Sequence, residues 1–411
     1  MSTTLAPRTP LVTRSFALLG CAELAYFTAE GVAIYTLPLH VTGPLGSDTA
    51  GAGVAFGAFA VAALVLRPFA GRLCDTIGRR PLLVTGAVLA ALTLALTPYA
   101  VGLAHVVALR LVLGVADAAF FVAAIAALVD LAPPDRLGEA QSYNSLGLYL
   151  GLTLGPLLGE VTVRSWGFDG AWLVAAALAG LAGALVTGVG ETLAPAPDPD
   201  AHAARGPTRS GGSPRGRLIH RPSVPIGLAF LTSIVAMGGF LAFAALRATE
   251  VGLANASLPI VVYGAVVVMC RVAFARLVDR VTPMLLGAAA LATMAAGLLV
   301  IVATGTATGL LAGAVVLGVG ISFSTPAFFT AIFAAADPAD RGVASGTATA
   351  CIDLGVGIGP VVLGFVAQSA GIPTAFAISA LVAGAGAAWS LVLLRRPAVP
   401  VLRQRQRQAA T

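Results

Sequence analysis

The chain has 411 residues, 58% of them hydrophobic and only 10% charged, with a net charge of +6 and a mean hydropathy of +0.94. Soluble domains carry about 25% charge, and a water-soluble fold has no interior large enough to hide this much apolar sequence, so a membrane-embedded chain is expected. The basic residues are all arginine, set in short clusters between apolar runs rather than on one basic domain, which argues against a nucleic-acid partner and suits loops on one side of a bilayer.

The chain opens with MSTTLAPRTPLVTRSF, which is positively charged. The apolar run after it is too long for a cleaved signal and has no small-residue cleavage site, so it reads as a first spanning helix that stays. Apolar runs then follow one another at 15–39, 50–70, 82–102, 104–131, 138–160, 170–190, 223–247, 256–275, 284–303, 307–335, 341–369 and 373–394. Each is long enough to span, given the roughly 20 residues a bilayer needs. Between the sixth and seventh, residues 191–222 are rich in Pro, Gly, Ser and Arg and carry no apolar period, as a flexible linker would. The expected fold is an all-α membrane protein of twelve transmembrane helices in two six-helix halves: 1–190, then the cytoplasmic linker, then 223–411 with a cytoplasmic tail. With the N-terminus inside, the inner segments hold nearly all the arginines and the outer ones only Arg164, with Arg247 at a helix end; both termini are therefore expected in the cytoplasm. Cys21, Cys74, Cys270 and Cys351 are scattered, with no CxxC or metal spacing, and read as free thiols.

The loop after the second run reads RPFAGRLCDTIGRRP, and a damaged copy, RVAFARLVDRVTP, starts at residue 271. A shift of 204 puts Arg67 on Arg271, Arg72 on Arg276, Leu73 on Leu277 and Asp75 on Asp279. The same shift puts Gly151, Gly155 and Pro156 on Gly355, Gly359 and Pro360. Two segments agreeing on one offset predict a duplicated six-helix unit with pseudo-twofold symmetry, a design that places substrate between the halves near the midplane. Asp75 can be offered to the positive N-terminal end of a neighbouring helix, a contact worth about 0.3–1 kcal/mol. Arg79 can pair with Asp130 at the inner end of the fourth helix. The alternative is that these residues only fix topology as a positive inner loop. The copy has Ala275 and Thr282 for two glycines and Pro283 at the place of Arg79, so a weaker second contact is expected.

GRLCDTIGRRP resembles the loop signature of the major facilitator superfamily through Gly71, Leu73, Asp75, Gly78, Arg79 and Arg80, with Thr76 at a place where Arg is common. RLVLGVADAA resembles the family's R-x-x-x-G signature through Arg110 and Gly114. GLTLGPLLG resembles the G-x-x-x-G-P-x-x-G signature of its drug/proton antiporter branch through Gly151, Gly155, Pro156 and Gly159. The resemblance covers nearly the whole chain. It implies that Arg67, Gly71, Asp75, Gly78, Arg79, Arg80 and Asp130 latch the halves in the outward-facing state, and that the fifth helix is a hinge of an antiporter. On the residues alone, Gly147, Gly151, Gly155 and Gly159 form one small face for close packing in lipid, with Pro156 inviting a kink.

Charges inside the spans are the sharpest signal. Glu23 and Glu30 share a face of the first helix, Arg110 and Asp117 a face of the fourth, and Asp353 sits near the middle of the eleventh. Each costs about 2.5–3.5 kcal/mol at the bilayer centre, so each needs a cavity, a partner or a function. Glu30 lies roughly 13 Å below its outer helix end and Arg110 roughly 9 Å below its own, which pairs them by depth, either as part of a proton path or as a static link. Glu23 or Asp117 is then the carboxyl that titrates, since burial and a neighbouring arginine act on a carboxyl in opposite directions. Tyr26 shares the Glu23/Glu30 face, and with Tyr149, Phe120, Tyr263 and Asp353 it is a candidate for substrate contact, the alternative being lipid or core packing for the aromatics and hydrogen bonding to Thr347 or Thr349 for Asp353. His40, His105, His202 and His220 carry no motif. No cofactor or metal is expected, and no catalytic constellation suggests an enzyme. The expected partners are a small-molecule substrate, protons and the lipid bilayer, with a monomer sufficient. The function expected is a secondary active transporter of the inner membrane, exporting small organic or drug-like compounds against protons. Its rival is a proton symporter for uptake of a sugar, organic acid or nucleoside.

Overall fold

In the computed structural model, residues 11–133, 136–193, 220–274, 281–336 and 340–395 are described. Helix α1 (Arg14–Thr42) starts where the Thr13 side chain accepts from the Phe16 N–H at 3.2 Å. Helix α2 (Thr49–Ile77) starts where Asp48 accepts from the Gly51 N–H at 2.7 Å. In both, a side-chain oxygen satisfies a backbone donor that has no partner within the helix. Next come α3 (Arg79–Leu96), a 3-10 turn (Thr97–Tyr99) and α4 (Leu103–Leu131). The helical run Leu137–Thr187 is broken at Gly167, whose φ of 74° suits only glycine; its parts are α5 (137–166) and α6 (168–187). After the linker follow α7 (Val224–Glu250), α8 (Leu258–Ala273), α9 (Pro283–Thr304), α10 (Ala307–Ala334), α11 (Arg341–Ala370) and α12 (Ile372–Arg395).

Ten of these stretches are long and apolar enough to cross a membrane, with 137–187 counting as one, and α8 is an apolar helix of 16 residues. No strand occurs among the described residues. The hydropathy reading thus finds the right helices but leaves a gap at 161–169, where the helix in fact continues. Nothing in VTVRSW breaks it, and the turn is made by Gly167 alone.

Helix starts repeat along the chain. α9, α10 and α11 begin at Pro283, Ala307 and Arg341, each 204 residues after α3, α4 and α5 at Arg79, Leu103 and Leu137. Packing repeats as well. α1 lies along α5 and α7 along α11; α3 lies on α4 and α9 on α10; α2 lies on α4 and α8 on α10. The contacts between residues 11–193 and 220–395 run through α2 with α11, α5 with α8 and α1 with α7.

Small residues set these distances. A Cβ on Gly155 would fall 2.5 Å from the Cα of Gly31, and one on Gly151 would fall 2.8 Å from the N of Thr28, so α1 and α5 touch backbone to backbone. The α2–α11 seam is as close: a Cβ on Gly53 or Gly57 would clash with the carbonyl of Pro360 or Gly357. In lipid, where water drives no apolar association between helices, such close approach gains van der Waals contact along the whole seam.

Arg79, Arg80, Arg14, Arg221 and Arg395 mark one end of the bundle, the basic end, while Arg164 and Arg247 lie at the opposite end. Ala275, Arg276, Leu277, Asp279 and Arg280 of the second loop, residues 194–219 of the linker and the tail from 396 lie outside the described residues.

Candidate functional site: a buried ion network

The R-x-x-x-G pattern on α4 explains how α4 meets α2. Gly114 lies so close to α2 that an added Cβ would strike the carbonyl of Phe59. One turn earlier, the Arg110 guanidinium lies over the Phe59 ring, 4.8 Å from its centre, a cation–π contact. Two turns after Arg110, Asp117 addresses α2 again and accepts from Arg67 Nη2 at 3.4 Å. Arg67 reaches α11 as well, with Nε 3.0 Å from Oδ2 of Asp353, and its guanidinium stands 4.8 Å over the Phe121 ring. One arginine on α2 thus holds a carboxylate from α4 and another from α11. The contact to Asp353 is close in distance but misaligned, so that neither Arg67 Nε nor Asp353 Oδ2 completes a hydrogen bond there.

Arg67 therefore lies within α2, ten residues before its end at Ile77, and not in the loop where its place in the repeated motif puts it. The Glu30–Arg110 pair expected from depth does not close: among the described residues neither side chain has an ion-pair partner within 4.0 Å, and Arg110 Nε and Nη1 are buried without hydrogen bonds. Depth fixes height along the bundle and not azimuth, and the azimuth of Arg110 points it at α2. Glu30 is buried on α1. Tyr26 stacks on Phe120 at 4.0 Å with planes 8° apart, and its hydroxyl has no partner. Tyr26 lies in the field of Glu30, Arg110, Asp117 and Arg67, so these five groups share one neighbourhood. Glu23 stands apart. With the amide nitrogen of Asn144 turned toward it, Asn144 on α5 donates to both its oxygens, beside a cleft lined by Phe16, Leu128 and Tyr143.

Tyr149 and Tyr263 sit at the α5–α8 contact. Arg271 of α8 donates to the Tyr149 hydroxyl at 2.8 Å, and Tyr263 packs on Phe240. Gly151, Gly155 and Gly159 face α1, with Pro156 beside Gly31, while Thr153 of the same helix meets Gly264 of α8.

At the basic end, Arg79 Nε donates to Asp130 at 3.0 Å and Nη1 lies 3.3 Å from Asp75. Asp75 is otherwise open to solvent and is not brought to a helix N-terminus. Gly71 has open space around it. Arg80 donates to the Thr187 carbonyl at 2.7 Å, closing the end of α6.

Three acceptors were not singled out in the sequence. Glu191, the first residue of the expected linker, accepts from the backbone N–H groups of Arg79 and Arg80 at 2.9 and 3.1 Å, capping α3 from 112 residues away. Glu160 on α5 accepts from the N–H groups of Ala256 and Ser257 at 3.0 and 3.1 Å and from the Ser257 hydroxyl at 2.5 Å. It also pairs with Arg164 at 2.7 Å, and Arg164 itself reaches Ala254 and Asn255. Asp48 accepts from Gln368 at 2.5 Å. Sequence flagged Arg164 only as the odd basic residue of its side, and nothing local marks the others. Among the described residues no group of three His, Cys, Asp or Glu side chains could hold a metal.

A bundle of apolar helices that keeps ion pairs deep inside, shared between distant parts of the chain, defines a multi-pass membrane transporter. The family profile of the Major Facilitator Superfamily matches residues 19–355 and 289–411, and the chain belongs to that family. An uncharacterized MFS-type transporter of Burkholderia mallei is 28% identical over 386 residues, which is 91% of this chain and 90% of that one. Among solved structures, a bacterial homolog of the human lysosomal transporter Spinster, inward-facing and occupied, superposes with a TM-score of 0.75 at 14% identity over 93% of this chain and 97% of that one. The human organic anion transporter MFSD10 (TETRAN) gives 0.69 at 18% over 93% and 100%.

Proposed function

We propose that the chain is a proton-coupled exporter of small organic or drug-like compounds that works by alternating access. In this reading twelve helices form two six-helix halves about a pseudo-twofold axis. The common 204-residue spacing of helix starts and the matched pairings α1–α5 with α7–α11 support it. The basic end faces the cytoplasm, following the positive-inside rule, in a bacterial inner membrane. Glu160 and Gln368 then tie the halves at the outer end, Arg271 and Tyr149 touch deeper in the bundle, and the outer ties support an inward-facing state. The Arg79–Asp75–Asp130 cluster, already formed within the first half, is the latch surface that the second half meets when the inner side closes.

The observation that carries the reading is Arg67 shared between Asp117 and Asp353. It joins the halves through charge where a charge is costly. Apart from Glu160, which Arg164 pairs at one end of the bundle, four buried acids, Glu23, Glu30, Asp117 and Asp353, stand against the buried Arg110 and the half-buried Arg67. Protons are the natural counter-charge for the surplus. A proton arriving on Asp353 removes the charge that ties Arg67 to the other half and lets the halves part; its departure restores the tie. Asp117 holds Arg67 from within its own half meanwhile. Tyr26 and Phe120 are sealed in the core beside the ion network, which leaves the half-buried Tyr149 at the α5–α8 contact as the candidate aromatic wall for substrate. Export rather than uptake rests on the likeness of GLTLGPLLG to the antiporter signature.

The test is substrate accumulation in inverted membrane vesicles under an imposed pH gradient. Glu23→Gln, Glu30→Gln and Asp117→Asn are each expected to reduce proton-driven accumulation by tenfold or more, about 1.4 kcal/mol. Accumulation that stays fully proton-driven in all three would overturn the coupling. Intact cells that accumulate the compound when the outside is acidified would reverse the direction.

A further inference from the structure

Arg67 and Arg271 occupy the same place in the 204-residue repeat, and so do their partners across the bundle. Arg67 on α2 meets Asp353 on α11, and Arg271 on α8 meets Tyr149 on α5; Tyr149 is the counterpart of Asp353 at that shift. The other carboxylate on Arg67, Asp117 of α4, has as its counterpart Ile321 of α10, a buried aliphatic residue. The second arginine has thus kept the position of the first and lost both of its carboxylates. Among the described residues Arg271 forms no ion pair. Its Nη2 donates to the Tyr149 hydroxyl at 2.8 Å, its guanidinium carbon lies 4.2 Å from the centre of the Tyr149 ring, and its Nε is buried without a partner.

A guanidinium keeps its charge in any protein setting, and one without a counter-ion inside a membrane is costly. A tyrosine hydroxyl satisfies one N–H and supplies no negative charge. Arg271 is not snorkelling freely either, since its head is held by a helix of the other half and its Nε is cut off from solvent. Both side chains are half-buried and not sealed in the core. Tyr263, one face along α8, lies within electrostatic reach of both and is backed by Phe240.

We infer that Arg271 and Tyr149 form an anion subsite that takes the carboxylate or sulfonate of an aromatic, amphipathic substrate. The acid sits on the terminal nitrogens of the Arg271 fork, in the place that Asp117 takes on Arg67 and that Ile321 leaves without a carboxylate, and the apolar body lies on the Tyr263 side of α8. This deepens the transport reading and rests on it only for the ligand being cargo. Arg67 shows what such a fork takes on this scaffold, and a planar acid matches it with paired charge-assisted hydrogen bonds.

The test compares 4-phenylbutyrate with its neutral amide by ligand-induced thermal stabilisation of the purified full chain in phosphatidylcholine nanodiscs. The wild type is expected to bind the acid at least about tenfold more tightly than the amide, as loss of a charged hydrogen bond implies. Arg271→Gln removes the preference, Arg271→Lys keeps part of it, and Tyr149→Phe weakens it several-fold. Equal binding of acid and amide by the wild type overturns the subsite, as does a preference that survives Arg271→Gln. If Arg271→Gln does not yield monodisperse protein, an unchanged preference in both Arg271→Lys and Tyr149→Phe overturns it. Loss of acid binding when phosphatidylglycerol replaces half of the lipid assigns the site to a lipid headgroup and overturns the substrate assignment. Binding here needs no gradient, so an absence of proton-driven transport with intact acid binding removes the coupling and leaves this subsite standing.

Discussion

Arg67 stands 3.4 Å from Asp117 and 3.0 Å from Asp353, and removing any one of the three leaves the others out of balance. Breaking a buried pair from one side costs about 3–5 kcal/mol, because it strands a charge, whereas replacing both partners by neutral groups costs far less. Arg67→Gln is therefore expected to lower the thermal unfolding midpoint of the detergent-solubilised protein more than the double variant Arg67→Gln/Asp353→Asn, which regains part of the loss. Equal midpoints for the single and the double variant would show that the Asp353 contact carries no energy. The sequence made Asp117 and Asp353 legible as charges that need partners, because a carboxylate in an apolar run is conspicuous. It did not make the partner legible. Arg67 looked like a loop residue by its motif, and helical spacing gives the face of one helix but not which neighbour that face meets. The contact of Arg110 with α2 was hidden for the same reason: its height matched Glu30, while Gly114 turned its face toward the Phe59 ring of α2.

At the scale of elements, hydropathy located the helices because each must present an apolar surface to lipid, and the Arg–Asp–Gly loop pointed to the 204-residue spacing at which α9, α10 and α11 start after α3, α4 and α5. Capping was not legible, since Glu191 reaches α3 through space from a segment that reads as linker. Gly78, with φ of 112°, leaves the room that Glu191 fills: an added Cβ would clash with its carboxylate. Desolvation pushes the Glu191 carboxyl up more than any one partner pulls it down, but the backbone N–H groups of Leu193, Arg79, Arg80 and Thr192 together outweigh it and hold it below the ordinary 4.5. A carboxyl lowered in the folded state adds stability above its unfolded value and loses it as the pH falls through its folded one. Glu191→Gln is thus expected to speed hydrogen exchange at the Arg79 and Arg80 amides at pH 7, relative to wild type after correction for intrinsic rates. The two proteins converge once the pH is well below 4.5; a difference that persists there would mean that the carboxylate charge is not what caps α3. The α1–α5 seam gives a packing contrast. A Cβ on Gly155 meets backbone at 2.5 Å, while one on Gly147 finds nothing nearer than 3.8 Å. Gly155→Ala should cost about 1–3 kcal/mol in denaturant titration and Gly147→Ala less than about 0.5, and comparable losses at the two sites would reject the seam as described.

For the molecule as a whole, the two seams that join residues 11–193 to residues 220–395 at the end away from the basic loops are built differently, although a shift of 204 maps one onto the other. The α2–α11 seam is glycine on carbonyl along its length, with Gly53 and Gly57 against Pro360 and Gly357, and carries one hydrogen bond at its rim, from Gln368 to Asp48. The α5–α8 seam is held by one carboxylate, Glu160, which faces the first N–H groups of α8 and a serine hydroxyl. Its counterpart at the 204-residue shift is Gly364, which packs directly on Thr49 and Ala50 of α2. A glycine seam can only fit or separate, whereas a carboxylate on a helix N-terminus adds a bias of about 0.3–1 kcal/mol, and its charge-assisted hydrogen bonds add to that. The balance between the two states of an alternating bundle is a few kcal/mol, so this single side chain is large enough to tilt it. Glu160→Gln removes the charge but keeps the shape, and is expected to shift the population toward the state in which this end is open. Spin labels at the exposed positions Trp166 and Ser369, one on each side of the seam, report it: a compact distance distribution in the labelled parent and an added longer component in Glu160→Gln. Gly57→Ala forces the other seam apart by steric contact and should lengthen the same distance even with Glu160 intact. A Glu160→Gln distribution identical to the parent's, alongside a lengthened one for Gly57→Ala, would mean that backbone packing alone holds this end closed and that Glu160 merely fills its place.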